Sequence, residues 1–180
     1  MHDNVLNILR SLKHQHDIQG PVLEIGSINI NGSAREIFGH ITPYVGIDIV
    51  PGTNVDLVVD ITAHDFERIQ YDALIHDFKT IICTEVLEHT PPEYLVPAMH
   101  AFIGGETTLI ITCAGPNRKP HSADGAPSVK PGEYYKNVDP LQLSELLYLV
   151  DDPGVEIVKV SVWSSMDSTD VYALARYRRS

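Results

Sequence analysis

The chain has 180 residues, enough for one domain with a proper buried core, and 13 lysines and arginines against 24 acids leave a formal charge of −11. Such a surface repels phosphate backbones, and the basic residues are scattered apart from Arg176, Arg178 and Arg179, so non-specific nucleic-acid binding is not expected. Cys83 and Cys113 lie in apolar runs outside any Cys-x-x-Cys pair, Met1-His2-Asp3-Asn4 lacks the basic start of a signal peptide, and no apolar run approaches the ~20 residues that span a bilayer; a cytoplasmic protein with reduced thiols and no membrane association is expected.

Residues 3–16 read as an amphipathic helix, with Asp3 as its cap and Val5, Ile8, Leu9 and Leu12 on one face. Gly20-Pro21 ends it. A short apolar strand follows, Val22-Leu23-Glu24-Ile25, closed by Gly26. A polar loop runs to Gly32, and residues 33–38 read as a helix start. Residues 44–50 form a second apolar strand, Pro51-Gly52-Thr53-Asn54 a turn, and residues 55–61 a third strand. A short helix is expected near 65–76 and a fourth strand over 79–85. Thr90-Pro91-Pro92-Glu93 has the pattern of a capping box, opening a helix with Leu95, Met99 and Phe102 on one face that stops at Gly104-Gly105. A fifth strand covers 107–113. Residues 114–138 lack periodicity, and a loop of that length suggests a functional cover. Asp139-Pro140 begins a further capped helix with Leu143, Leu146, Leu147 and Val150 apolar. Strands 155–163 and 170–178 close the chain and can pair as an antiparallel hairpin.

Strands alternating with helices imply a parallel sheet covered on both faces, whose strands read as nearly unbroken apolar runs. The expected fold is α/β: a Rossmann-like, doubly wound, mostly parallel seven-stranded sheet with a C-terminal antiparallel hairpin. Residues 1–180 form one domain. A strand ending in glycine and feeding a helix opens a nucleotide-binding βα unit, in which free loop N–H groups face the ligand. Three acids, Glu24, Asp48 and Asp60, stand at or near the ends of the first three strands, where ligands of open α/β sheets bind. Asp48 lies about 20 residues after Gly26, the interval at which an acid accepts hydrogen bonds from a ribose diol. The middle and last glycines of the dinucleotide pattern are missing.

Glu24-Ile25-Gly26 resembles the start of the first motif of class I S-adenosylmethionine-dependent methyltransferases, commonly Asp/Glu-x-Gly-x-Gly-x-Gly. The chain then departs from it, with Ile28 and Ile30 where later glycines would fall. Tyr44-Val45-Gly46-Ile47-Asp48 is similar to the family's second motif, Val59-Asp60-Ile61 to its third, and Thr84-Glu85-Val86-Leu87-Glu88-His89 to the segment after its fourth strand. The motifs follow in order over residues 20–115. The resemblance implies S-adenosylmethionine as cofactor and S-adenosylhomocysteine as product, with a small-molecule acceptor. Glu24, Gly26, Ser27, Asn31 and Gly32 would shape the first turn. Asp48 would hold the ribose, Ile49 would flank the adenine, and Asp60 and Ile61 would meet its amino edge. Thr84 and Glu85 would line the methionine portion, and residues 114–138 would cover the acceptor.

The sulfonium already activates the methyl group, so the protein must orient a nucleophile and sometimes take its proton. His89 and His121 are the candidate bases, since imidazole titrates near neutrality. Glu85-x-x-Glu88-His89 is also similar to the segment with which small-RNA 3′-end methyltransferases and some quinone-biosynthesis methyltransferases bind a divalent metal. No clear fourth ligand is identifiable, although His121 could serve, and no metal is expected. Thr84-Glu85-Val86-Leu87 differs from the Asn/Asp-Pro-Pro-Tyr/Phe of amino methyltransferases acting on adenine, and neither cysteine follows a proline as in cytosine-C5 enzymes. Alternatives are a methyltransferase acting on a nucleotide or nucleic acid, a non-catalytic Rossmann-like binding module, and a nicotinamide-dependent oxidoreductase. A monomer or homodimer is expected.

Overall fold

A computed structural model describes residues 3–63 and 77–180. The elements run α1 (Asp3–Gln15), β1 (Val22–Ile25), α2 (Arg35–Phe38), β2 (Tyr44–Asp48), β3 (Leu57–Val58), β4 (Thr80–Thr84), α3 (Pro92–His100), β5 (Glu106–Ala114), α4 (Pro140–Tyr148), β6 (Val155–Ser164) and β7 (Asp170–Arg179). They form one seven-stranded sheet in the order β3-β2-β1-β4-β5-β7-β6. β1 to β5 are parallel, and β7 joins antiparallel to both β5 and β6. This is the expected doubly wound sheet with its terminal hairpin. The helix expected near 65–76 lies outside the described residues. Among the described residues no helix is long and apolar enough to cross a membrane.

Side-chain alternation along the strands divides the core into two layers. Val22, Ile82, Ile110 and Leu174 point to one face, where Val5, Leu9 and Leu12 of α1 and Ile37 and Phe38 of α2 cover them. Leu23, Ile81, Cys83, Leu109 and Ile111 point to the other, beneath Leu95, Val96 and Met99 of α3 and Leu143 and Leu147 of α4. The Tyr177 hydroxyl ties the second layer together: it donates to Leu147 O (2.9 Å) and lies 3.3 Å from His100 Nε2. Burial alone drops the His100 pKa to about 4, so the ring stays neutral in the core.

Four expectations of local structure change. The third strand shrinks from 55–61 to two residues because it is the sheet's edge and each end is turned away. Val55 N donates to Gly52 O, while Asp60 Oδ1 accepts from Thr62 N and Oγ1. The capping box at Thr90 does not form. A residue before proline is kept out of the helical region, so Pro91 (φ −53°, ψ 121°) becomes the N-cap without a side-chain bond, and α3 starts at Pro92. That helix also ends at His100, short of Gly104. Asp3 sits inside the first turn of α1 rather than before it. By contrast Asp139 caps α4 as its sequence suggests, accepting from Leu141 N and Gln142 N.

Leu9 is fully buried at the contact of α1 with the sheet. Leu9→Ala is expected to lower stability by about 2–5 kcal/mol, read as a lower urea midpoint with an unchanged slope.

Candidate functional site

Strand order reverses between β1 and β4, because β2 and β3 extend the sheet to one side and β5 to the other. The strands' carboxyl ends diverge there and leave a cleft of about 570 Å³, the size of a small-ligand site. Gly26 forms its floor. Its φ is +72°, and a Cβ would lie 2.1 Å from Val86 Cγ2, so only glycine fits both the turn and the contact. The chain then folds over itself. Gly26 N and Ser27 N both donate to Ile47 O (2.9 and 3.0 Å), Ile28 N to Asp48 Oδ2 (3.2 Å) and Asn29 N to Thr53 O (3.0 Å). These N–H groups are therefore engaged within the protein, unlike the free donors expected of a phosphate-type turn. Helix α2 adds no anion site, being a single turn that begins only at Arg35.

One end of the cleft is made by β2 and the chain after β3. Asp48 is nearly buried; its Oδ1 accepts from Val50 N (3.2 Å) and its Oδ2 from Ile28 N. Exposed Ile49 and Val50, the Asp60 carboxylate and buried Ile61 complete that end. Gly26, Asn31, Gly32, Thr84 and Glu85 also face the cleft. Glu85 follows β4 with φ +58°, a left-handed conformation that L-residues avoid. Its N–H donates to Thr112 O (2.8 Å), and its Oε1 accepts from Thr112 Oγ1 (3.2 Å).

Two expected site residues lie elsewhere. Strand alternation turns Glu24 away from the cleft, beneath α1 and α2, where it accepts from Tyr44 Oη (2.9 Å) and Ser33 Oγ (3.4 Å). Burial raises its pKa to about 7, against the opposing pull of Tyr44 and Arg35. Ser27 is buried beside the backbone of Gly46, and its Oγ has no partner among the described residues.

The other end of the cleft is polar. The loop over residues 115–139 brings Arg118, His121, Ser122, Asp124 and Glu133 to its wall. Its own bonds shape it: Ser122 Oγ donates to Glu133 Oε1 (2.8 Å), Asn137 Nδ2 to the carbonyls of Pro116 and Arg118 (2.9 Å each) and Lys136 N to Glu88 O (2.9 Å). Arg118 is anchored by an ion pair to buried Asp170. The loop delivers His121 to His89, with ring centroids 5.1 Å apart, and the Tyr135 ring packs edge-on against both. Burial, then the nearby His121, pushes the His89 pKa down to about 4.

Behind these rings Glu88 is fully buried, and among the described residues neither carboxylate oxygen has a hydrogen-bond partner. Burial and then the Glu85 charge raise its pKa, while its own N–H, that of Ala114 and the Arg118 guanidinium offset part of the cost without completing a bond. The sequence points to Glu88 only through the Glu85-x-x-Glu88-His89 segment, and it does not point to Tyr135, Arg118 or Glu133. The contributions of Arg118, Glu133 and Tyr135 depend on how the loop folds back, for which no local pattern exists. The Ile28 and Ile30 side chains, which stand where the motif that Glu24-Ile25-Gly26 resembles has glycines, line the cleft as apolar wall.

No protein-family model and no curated protein matches the sequence. Solved structures do match in fold. The magnesium protoporphyrin IX methyltransferase ChlM from Synechocystis PCC 6803, solved with bound SAM, aligns at TM-score 0.54 and 15% identity, covering 98% of this chain and 78% of that one. The Burkholderia thailandensis 1,6-didemethyltoxoflavin-N1-methyltransferase, solved with its substrate and S-adenosylhomocysteine, aligns at TM-score 0.58 and 12% identity over 97% and 78% of the two chains. The 4+2 cyclase SpnF aligns equally well, at TM-score 0.58 and 14% identity over 98% and 80%. The chain thus has the class I methyltransferase fold, a fold that also serves other chemistry.

Glu24 makes stability depend on pH. The folded chain holds its proton up to about 7, whereas the unfolded glutamic acid releases it near its ordinary value of 4.5. Between those values the unfolded state binds fewer protons, so stability falls as pH rises and the loss is complete above about pH 7. Glu24→Gln removes this contribution. Its stability relative to the native chain is expected to rise between about pH 5 and about pH 8 in urea unfolding; a constant difference would refute the assignment. Buried Glu88 gives a fall of the same sign in both proteins and cancels in the comparison.

Proposed function

We propose that the chain is an S-adenosylmethionine-dependent methyltransferase acting on a small-molecule acceptor. The observation that carries this reading is the position of Asp48: a nearly buried carboxylate at the end of β2, held by two backbone N–H groups beside the Gly26 turn, inside a cleft at the switch point. A carboxylate fixed this way still has lone pairs to accept from a ribose diol. Ile49 and Ile61 would offer apolar contact to a flat base, and the Asp60 carboxylate an acceptor for its exocyclic amine. The methionine portion would run past Gly26 and Thr84 toward Glu85, bringing its methyl group to the polar end of the cleft. The bound cofactor supplies the activated methyl group. The chain's residues orient the acceptor and exclude water beneath the loop over 115–139. His89, kept neutral near pH 7, and His121 are the groups able to take an acceptor proton.

The bound ligands of the two methyltransferase neighbours support the cofactor class, and the mixed lining of the cleft suits a small acceptor better than a nucleic-acid backbone. The formal charge of −11 agrees with that preference.

Calorimetry with S-adenosylhomocysteine and, side by side, NAD tests the reading. Binding of the former alone is expected. Asp48→Ala should weaken it about ten- to a hundredfold, the worth of one or two charge-assisted hydrogen bonds. Unchanged affinity overturns the ribose assignment, and no binding by the native chain favours a non-catalytic module. Formation of S-adenosylhomocysteine against pooled metabolites and nucleosides then identifies the acceptor class.

A further inference from the structure

We propose that Glu88, His89 and His121 form a binding site for one divalent first-row transition cation in the wall of the cleft's polar end. Each side chain offers one ligand atom, and those atoms all lie within 4.8 Å of one another. Glu88 is fully buried, and among the described residues neither of its oxygens, nor Nδ1 of His89, has a hydrogen-bond partner. Buried polar atoms in native proteins are nearly always partnered, because each orphan forfeits its hydration without return. Three such atoms gathered in one cluster make a local demand for positive charge.

The surroundings orient the ligands. His121 Nδ1 lies 3.2 Å from Lys119 O; as donor to that carbonyl it leaves Nε2 free to bind. The Tyr135 ring, 5.3 and 5.1 Å from the two imidazoles, packs both side chains against rotation. Glu88 and His89 are adjacent in the chain, and Lys136 N donates to Glu88 O, tying the loop to the segment that carries them. Two ligands about 2.1 Å from one ion lie at most about 4.2 Å apart. A small side-chain rotation closes the remaining gap.

Two imidazoles and one carboxylate select the cation. Mg²⁺ and Ca²⁺ prefer all-oxygen shells, whereas this donor set suits Zn²⁺, Co²⁺, Mn²⁺ or Fe²⁺. Three protein ligands leave coordination positions open, and His89 and His121 both line the cleft. Those positions suit water or an oxygen of the acceptor. This last step rests on the methyltransferase reading; the cation site does not. With the cation bound, the imidazoles are ligands rather than bases, and the metal instead lowers the pKa of a coordinated hydroxyl.

The full chain, stripped with a chelator and desalted, is titrated with Zn²⁺ and Mg²⁺ by calorimetry and with Co²⁺ by visible absorption, in the absence of cofactor. One Zn²⁺ or Co²⁺ per chain is expected, with Mg²⁺ far weaker. Glu88→Gln and His121→Ala should each weaken binding at least about tenfold, while His40→Ala, an exposed histidine outside the cluster, leaves it unchanged. His121 lies on the loop, so its variant keeps the core intact, and a thermal melt verifies that. No stoichiometric binding, or binding indifferent to both ligand variants, overturns the proposal. S-adenosylhomocysteine affinity measured in chelator separates this outcome from failure of the cofactor reading.

Discussion

The contact between Gly26 and Val86 is the constraint on which the site depends. β1 lies between β2 and β4, paired in parallel to both, so its end is the place where the sheet's two wings part. A chain leaving there must turn at once and must do so against the segment that leaves β4. A positive φ and a Cβ position 2.1 Å from Val86 Cγ2 admit no side chain. Because the turn is that tight, Ile47 O can take both Gly26 N and Ser27 N, and Asp48 can take Ile28 N. The same bonds that close the turn therefore aim the Asp48 carboxylate. Glycine at one position couples the backbone geometry of β1 to the charge at the end of β2.

Much of the fold was legible because parallel strands carry their burial in their composition. Leu23, Ile81, Cys83, Leu109 and Ile111 and their neighbours form runs that a solvent-facing strand would not have. The Asp48 position was legible for a related reason, since the βα unit fixes how far the second strand end lies from the first turn. Other features depended on competition between local rules. Thr90 and Glu93 have capping-box spacing, but Pro91 and Pro92 restrict the residue before each of them, and that restriction decides where α3 starts. Glu24 sits in motif position, but the period-two alternation of β1 sends it under α2 rather than into the cleft. The polar end was the least legible part. Its residues come together only through the fold of the loop over 115–139, whose bonds, such as Asn137 to Pro116 and Arg118, join side chains to distant carbonyls.

The fold limits what likeness can say about chemistry. Two methyltransferases and a 4+2 cyclase superpose on the chain about equally well, at 12–15% identity. What separates such proteins is the set of groups at the strand ends, not the sheet. Here the two ends of the cleft differ in kind. The Asp48 end has apolar walls and an acceptor held by two backbone N–H groups. The polar end is assembled from Glu85, Glu88, His89 and loop residues, and the Glu88 oxygens and His89 Nδ1 there have no hydrogen-bond partner among the described residues.

That asymmetry has an energetic consequence. The Glu85 charge raises the hold of Glu88 on a proton, and Glu88 is fully buried. A buried carboxylate in a low-dielectric wall holds its proton more tightly unless a positive charge is close. The Arg118 guanidinium, which also pairs with buried Asp170, offsets part of the cost of the Glu88 charge. A cation held by Glu88, His89 and His121 would meet that buried charge and would also take His89 Nδ1, which has no partner among the described residues. The strained Glu85, held left-handed by its bonds to Thr112, is the backbone feature that brings the segment carrying Glu88 and His89 into this arrangement. Strain after β4 and the buried Glu88 carboxylate, without a hydrogen-bond partner among the described residues, are therefore two parts of one arrangement, set where an acceptor would have to bind.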